Sequence, residues 1–262
     1  MDLTMLLLSG AIAGTLAGLL GIGGGIVIVP IVVLFFESQR LDNALAIKMA
    51  LGTSLATIIF TAMSSIYTHH RKQAVQWGIV KIMTPGILTG SLTGAWLADI
   101  IPGTTLYMAF IIFLFLVSLQ MAVSRVSAHR SLPGRFVMNG ISFSFGTVSA
   151  LMGVGGGSLN VPFLSYCGIP IKKAIATAAA IGLPIAISAT LGYIIGGLNE
   201  EGLPSGSIGY VNLPVFGGVV VASLVFAPIG ATLAHKLPDL VLRRLFAVFI
   251  FALATKMSLK FL

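Results

Sequence analysis

Charge is scarce in this chain. Only 8% of its 262 residues are Asp, Glu, Lys or Arg, against about 25% in a soluble domain. That excludes an ordinary water-facing surface around a globular core. Cysteine is nearly absent: Cys167 stands alone, so there is no internal disulfide. Acidic residues number seven, and none falls in the middle of an apolar run, so proton or sodium coupling through a membrane-buried carboxylate has no candidate. No Ser/His/Asp set and no cluster of metal-ligand residues falls at depth, so neither an intramembrane enzyme nor a metal or other cofactor is expected. No Walker motif and no long polar stretch is present, which argues against ATP-driven work by this chain alone. The N-terminus lacks the positive region of a cleavable signal peptide, so the first apolar run is expected to be kept.

What is present is hydrocarbon. Hydrophobic residues make up 57% of the chain, and most stretches between polar clusters are long enough, at about 20 residues, to cross a bilayer. Ten apolar segments can be marked, at 3–20, 26–36, 43–68, 78–98, 104–124, 136–152, 158–167, 171–198, 210–235 and 240–261. The reading is an all-α polytopic membrane protein. The net charge of +8 then marks cytoplasmic loops rather than a nucleic-acid surface.

A glycine-rich, proline-terminated cassette occurs twice. Gly14-Thr15 leads through Gly21-Ile-Gly-Gly-Gly25 to Val29-Pro30, and Gly146-Thr147 leads through Gly153-Val-Gly-Gly-Gly157 to Val161-Pro162. Nine of the seventeen aligned positions are identical. The duplication extends further: Gly94-Ala-Trp-Leu-Ala98 with Pro102 matches Gly230-Ala-Thr-Leu-Ala234 with Pro238, and Ala50-Leu-Gly52 matches Ala180-Ile-Gly182. The chain divides into a first repeat, 1–123, a basic linker, 124–135, and a second repeat, 136–262.

Loop charge selects a topology. If 3–36 and 136–167 each cross the membrane once, Lys and Arg divide eight to seven between the faces. If each turns back at its glycines, they divide eleven to four, with only Arg40, Lys48, Lys256 and Lys260 on the sparse face. The positive-inside rule favours the second arrangement. Each half is then a Gly-broken helical hairpin plus three transmembrane helices. An odd number of crossings makes the two repeats inverted, with both termini outside, as in many secondary transporters. The hairpin arms are unequal, about 27 Å and about 16 Å in the first half at 1.5 Å per residue.

Glycine tolerates positive φ and lets backbone approach a ligand. A helix restarting near Ile26 would put Pro30 in or just after its first turn, where proline disturbs least. Such a restart presents unpaired N–H groups and the positive end of the helix dipole, a cradle for an anion. The candidate cradle is Gly23, Gly24 and Gly25 with Gly155, Gly156 and Gly157. The same glycines also suit close helix packing of the small-xxx-small kind. Ser158 and Asn160 stand where the first half has Ile26 and Ile28, and Asn160 is the preferred side-chain contact. Thr53 and Ser54 form the polar centre of 43–68 and either contact substrate or bond between helices. Gly182-Leu183-Pro184, at the matching place, should kink or unwind its helix. Lys48 either offers positive charge or snorkels to the interface. His69 to Lys72 read as a cytoplasmic basic loop.

The residues also carry a family resemblance. The two Gly-x-Gly-Gly-Gly-plus-Pro cassettes, Ala50-Leu-Gly-Thr-Ser54 and the repeated Gly-Ala-x-Leu-Ala-x-x-x-Pro resemble the sulfite exporter TauE/SafE family, the toluene sulfonate uptake permeases, over almost the full length. The resemblance implies a multi-pass transporter of the plasma (inner) membrane for a small sulfur-containing anion: sulfite, sulfonate or sulfoacetate. The second half departs from the Gly-Thr-Ser pattern at Leu183-Pro184. The partners implied are the anionic substrate and the lipid bilayer, with no nucleic acid; a homo-oligomer is compatible with this. An anion channel, or a membrane assembly subunit without transport, remains an alternative.

Overall fold

A computed structural model describes residues 8, 10–15, 24–123, 131–233 and 239–259. It is helical almost throughout. Residues 10–15 (α1) are followed by α2 (Gly25–Ser38), α3 (Asn43–Arg71), α4 (Trp77–Ile100) and α5 (Gly103–Val123). The second half runs α6 (Arg135–Leu151), α7 (Gly157–Tyr166), α8 (Ile171–Gly196), a small antiparallel pair β1 (Ser207–Ile208) and β2 (Val211–Asn212), α9 (Leu213–Leu233) and α10 (Asp239–Ser258). Gly23 and most of the 124–135 linker lie outside the described residues.

Among the described residues, four helices are long and apolar enough to cross a membrane: Asn43–Arg71, Gly103–Ala122, Ile171–Gly196 and Leu213–Gly230. α2 and α7 are not. At 14 and 10 residues they reach about 21 Å and 15 Å, against a hydrocarbon core of about 30 Å. They begin inside the structure rather than at its ends.

The elements explain themselves locally. α6 stops in a Schellman motif: Gly153 has φ +60°, its N–H donates to the Ala150 carbonyl, and the Val154 N–H reaches back to Ser149. α2 starts after Gly24, whose φ is +81° and whose carbonyl accepts from Val27 and Ile28. Pro30 and Pro162 each fall just past the first turn, at the sixth residue of their helices. There the ring does withhold one N–H, from the carbonyls of Ile26 and Ser158.

Three readings change. α8 is helical from Ile171 to Gly196 with Pro184 inside it, so it does not unwind at Gly182-Leu183-Pro184. His69, His70 and Arg71 form the last turn of α3, not a loop, and complement its dipole there; His69 is buried. The segment at 210 begins as β2, and its helix starts at Leu213.

The packing crosses between the halves. α4 lies on α6 through Gly86, Gly90 and Gly94, where added Cβ atoms would strike backbone at Asn139, Phe143 and Thr147. α1 lies on α9 in the same manner: Gly10 meets Val219, Gly14 meets Ser223, and the Ser223 hydroxyl donates to the Gly10 carbonyl at 2.9 Å. These glycines admit backbone-to-backbone contact where any side chain would hold the helices apart. α3 packs on α8 with Gly52 beside Tyr193 at one end and the Gln76 N–H donating to Thr177 Oγ1 beyond the other, so these matching helices run antiparallel. α5 and α10 do too: Ser118 Oγ donates to the Ala247 carbonyl at 2.8 Å, and Phe115 meets Phe251.

Candidate functional site

The two glycine breaks meet. A Cβ on Gly25 would overlap the Gly153 carbonyl oxygen and sit 2.8 Å from Val154 Cα. No residue but glycine could stand there without moving backbone. The same point is 3.0 Å from Ile58 Cδ1, near the middle of α3. On the other side Gly156 abuts the Ala178 carbonyl and the Gly182 N–H, near the middle of α8. The starts of α2 and α7 therefore share one region, halfway along the two longest helices. Each start leaves N–H groups without a carbonyl one turn back, and each carries the positive end of its helix dipole.

The candidate side chains divide between this region and others. Gly24, Gly25, Gly155, Gly156 and Gly157 are in it. Ser54 is at its edge, with Oγ donating to the Gly153 carbonyl at 2.9 Å. Ser158 and Asn160 lie in the first turn of α7 and just beyond, both buried. The Asn160 amide nitrogen donates to the Gly156 carbonyl at 2.6 Å. Thr53 is occupied elsewhere: its hydroxyl accepts from the Asn212 N–H at 3.0 Å, fixing the loop before α9 onto α3. Lys48 lies a turn away from the breaks, where Nζ donates to the Asp99 carbonyl at 2.7 Å and sits 5.5 Å from the Tyr210 ring centre.

Lys48 belongs to a polar cluster that sequence reasoning did not assemble. The single O–H of Tyr210 is placed between Asp99 Oδ1 at 2.9 Å and Glu200 Oε2 at 3.0 Å. Burial, then the hydrogen bonds to Asp99 and Glu200, push this phenol above its ordinary value. Tyr193 packs edge-on to Tyr210 and donates its hydroxyl to the Ala150 carbonyl at 3.1 Å. The cluster thus joins the end of the protein to the last turn of α6, just before its glycine break. The partners come from α3, α4, α8 and a loop, so no local motif announces them.

A second missed feature is legible in retrospect. Thr53, Thr57, Thr61, Ser65 and His69 recur every four residues on α3, and all are buried. That spacing puts them on one helix face, running from the glycine region to the end of the helix. Thr57 and Thr61 also donate to carbonyls of their own helix. Among the described residues no group of three or more His, Cys, Asp or Glu could hold a metal ion.

Two short helices that start at paired glycines, among helices long and apolar enough to cross a membrane, define a polytopic helical membrane protein. Comparison makes this specific. The model of the sulfite exporter TauE/SafE family matches residues 6–257, and the chain belongs to that family. It is 35% identical over 263 residues to a probable membrane transporter protein of Haemophilus influenzae, covering 97% of both chains. A probable membrane transporter protein of Methanocaldococcus jannaschii is 28% identical over 218 residues, 81% of this chain and 79% of the relative. The probable membrane transporter protein YunE of Bacillus subtilis is 30% identical over 218 residues, 75% of this chain and 80% of the relative. No solved structure matches the chain.

Proposed function

We propose that this protein is a secondary transporter that moves a small sulfur-containing anion across the plasma (inner) membrane by alternating access. The observation that carries the reading is the meeting of the two glycine breaks, Gly25 against Gly153 and Val154. Two helix N-termini in one region favour negative charge, and irregular backbone at membrane depth is tolerated where it is enclosed by protein or lines a cavity. The family supplies the sulfur: sulfite, a sulfonate or a sulfoacetate-like anion.

The two halves act as inverted repeats in this reading, which the antiparallel courses of α3 with α8 and α5 with α10 support. Asp42, Lys48, Asp99 and Glu200 then lie at the outer face with both termini. Arg71, Lys72, Lys172 and the 124–135 linker lie at the cytoplasmic face. One half rocks against the other around the glycines.

The purified chain in proteoliposomes is expected to show saturable counterflow of sulfite or a sulfonate. Gly24→Leu combined with Gly156→Leu is expected to abolish it while the protein still inserts. Unchanged uptake by that variant would overturn the site, and single-channel current in place of counterflow would overturn the transporter reading.

A further inference from the structure

The start of α7 offers more polar atoms than the protein uses. Asn160 is fully buried, at 0% exposure, and its amide nitrogen is committed to the Gly156 carbonyl. The amide cannot be turned over, because its oxygen would then face that carbonyl oxygen at 2.6 Å. Asn160 Oδ1 is therefore directed away from Gly156, and it has no partner. Ser158, 5% exposed, also has an unpartnered Oγ. Pro162 offers no N–H to the Ser158 carbonyl. Beside these are the N–H groups of Gly157, Ser158 and Leu159, which precede the first intrahelical bond, from the Asn160 N–H to Gly156.

This set contains both signs of hydrogen-bonding group. The N–H groups and the Ser158 hydroxyl donate, whereas Asn160 Oδ1 and the Ser158 carbonyl accept. A bare oxyanion satisfies only the donors and would sit against a buried, unpaired amide oxygen, which is unfavourable. The matching positions of α2 are Ile26 and Ile28, both buried, and their side chains offer hydrocarbon alone.

We propose that Asn160 Oδ1 makes the site selective for anions that also carry a hydrogen-bond donor next to their anionic oxygens: a hydroxyl, an ammonium or the proton of a monoprotonated oxyanion. The inference rests on the anion site proposed above and adds to it the chemistry of the preferred ligand. Sites built to bond a polar hydrogen reject analogues lacking it far more strongly than apolar pockets reject a missing methylene.

The test uses matched pairs on the purified full chain: 2-hydroxyethanesulfonate against ethanesulfonate, and glycolate against acetate, with affinity read from thermal stabilisation. The wild type is expected to bind the hydroxyl-bearing member of a pair at least about tenfold more tightly. Asn160→Leu is expected to bring that ratio close to one. Members of each pair binding the wild type within about twofold of each other would overturn the inference while leaving the anion site standing, as expected if a buried water fills the Asn160 acceptor. No stabilisation by any of the four would remove the anion site and this inference together. The wild-type comparison decides the matter even where the variant fails to fold.

Discussion

The two glycine breaks share a cassette but differ in the side chains that follow them. Their backbones match in outline: each restarts a helix at its last glycine and carries a proline as the sixth residue of that helix, although Gly24 before α2 has φ +81° and the matching Gly156 before α7 has φ −61°. Their side chains diverge. After the break the first half places Ile26 and Ile28, both buried, and α2 runs for 14 residues. The second half places Ser158 and Asn160, and α7 ends after 10. The helix restart, which sets the charge of the cradle, is present in both copies. Side-chain chemistry, which sets selectivity, is concentrated in one. A duplicated site divided in this way needs no charged residue at depth, and none of the candidate positions in the glycine region is ionisable.

The largest effect that would break this comparison comes at the contact between the two glycine breaks. Gly25→Val places atoms on the Gly153 carbonyl, a backbone group that cannot step aside as a side chain would. The expected loss is about 3 kcal/mol or more, read as a sharp fall in thermal midpoint or as failure to purify as a single species. Gly140→Ala is the control: its Cβ meets nothing within 4 Å, and it is expected to leave the midpoint unchanged or raise it. Equal behaviour of the two variants would mean that the two breaks do not touch at Gly25.

A smaller effect, of opposite sign, comes from the C-terminal ends of α2 and α7. α2 and α7 both close in Schellman motifs, with Arg40 donating to Glu37 and Leu41 to Phe36 in the first, and Gly168 to Ser165 and Ile169 to Leu164 in the second. The left-handed position is held by glycine at 168 but by Arg40, with φ +61°, in the first half. Arg40→Gly is expected to stabilise the protein by about 1 kcal/mol, seen as a raised thermal midpoint. Gly168→Ala should lower it by a similar amount. No change in either would mean that the two ends are not equivalent caps.

Much of the fold was legible because the chain writes its helices in uninterrupted hydrocarbon and its breaks in glycine and proline. The boundaries of α3 to α8 fall within a few residues of the apolar segments. Pro184 does not unwind α8, because a proline inside a long helix removes only one backbone hydrogen bond there. β2 was read as the start of a helix because Tyr210 and Val211 run on into the apolar start of α9. Its extended form is set by contacts distant in sequence, chiefly the Asn212 N–H on Thr53. The glycine region was partly legible. The cassettes located it, but no local pattern says that Gly25 touches Gly153, or that Tyr210 joins Asp99 to Glu200. Thr53 and Lys48 were candidates by polarity alone, and the structure gives both of them other partners.

The central claim is that each half turns back at its glycines, so that inverted copies meet at mid-depth. Sided labelling with a membrane-impermeant thiol reagent tests it most directly, using single-cysteine variants Asp42→Cys, Lys72→Cys and Glu200→Cys in a Cys167→Ser background. The account predicts that positions 42 and 200 label from the same side and position 72 from the opposite one. Labelling of 72 and 200 from one side, with 42 on the other, is the pattern of helices that pass straight through the glycines, and it would contradict the account.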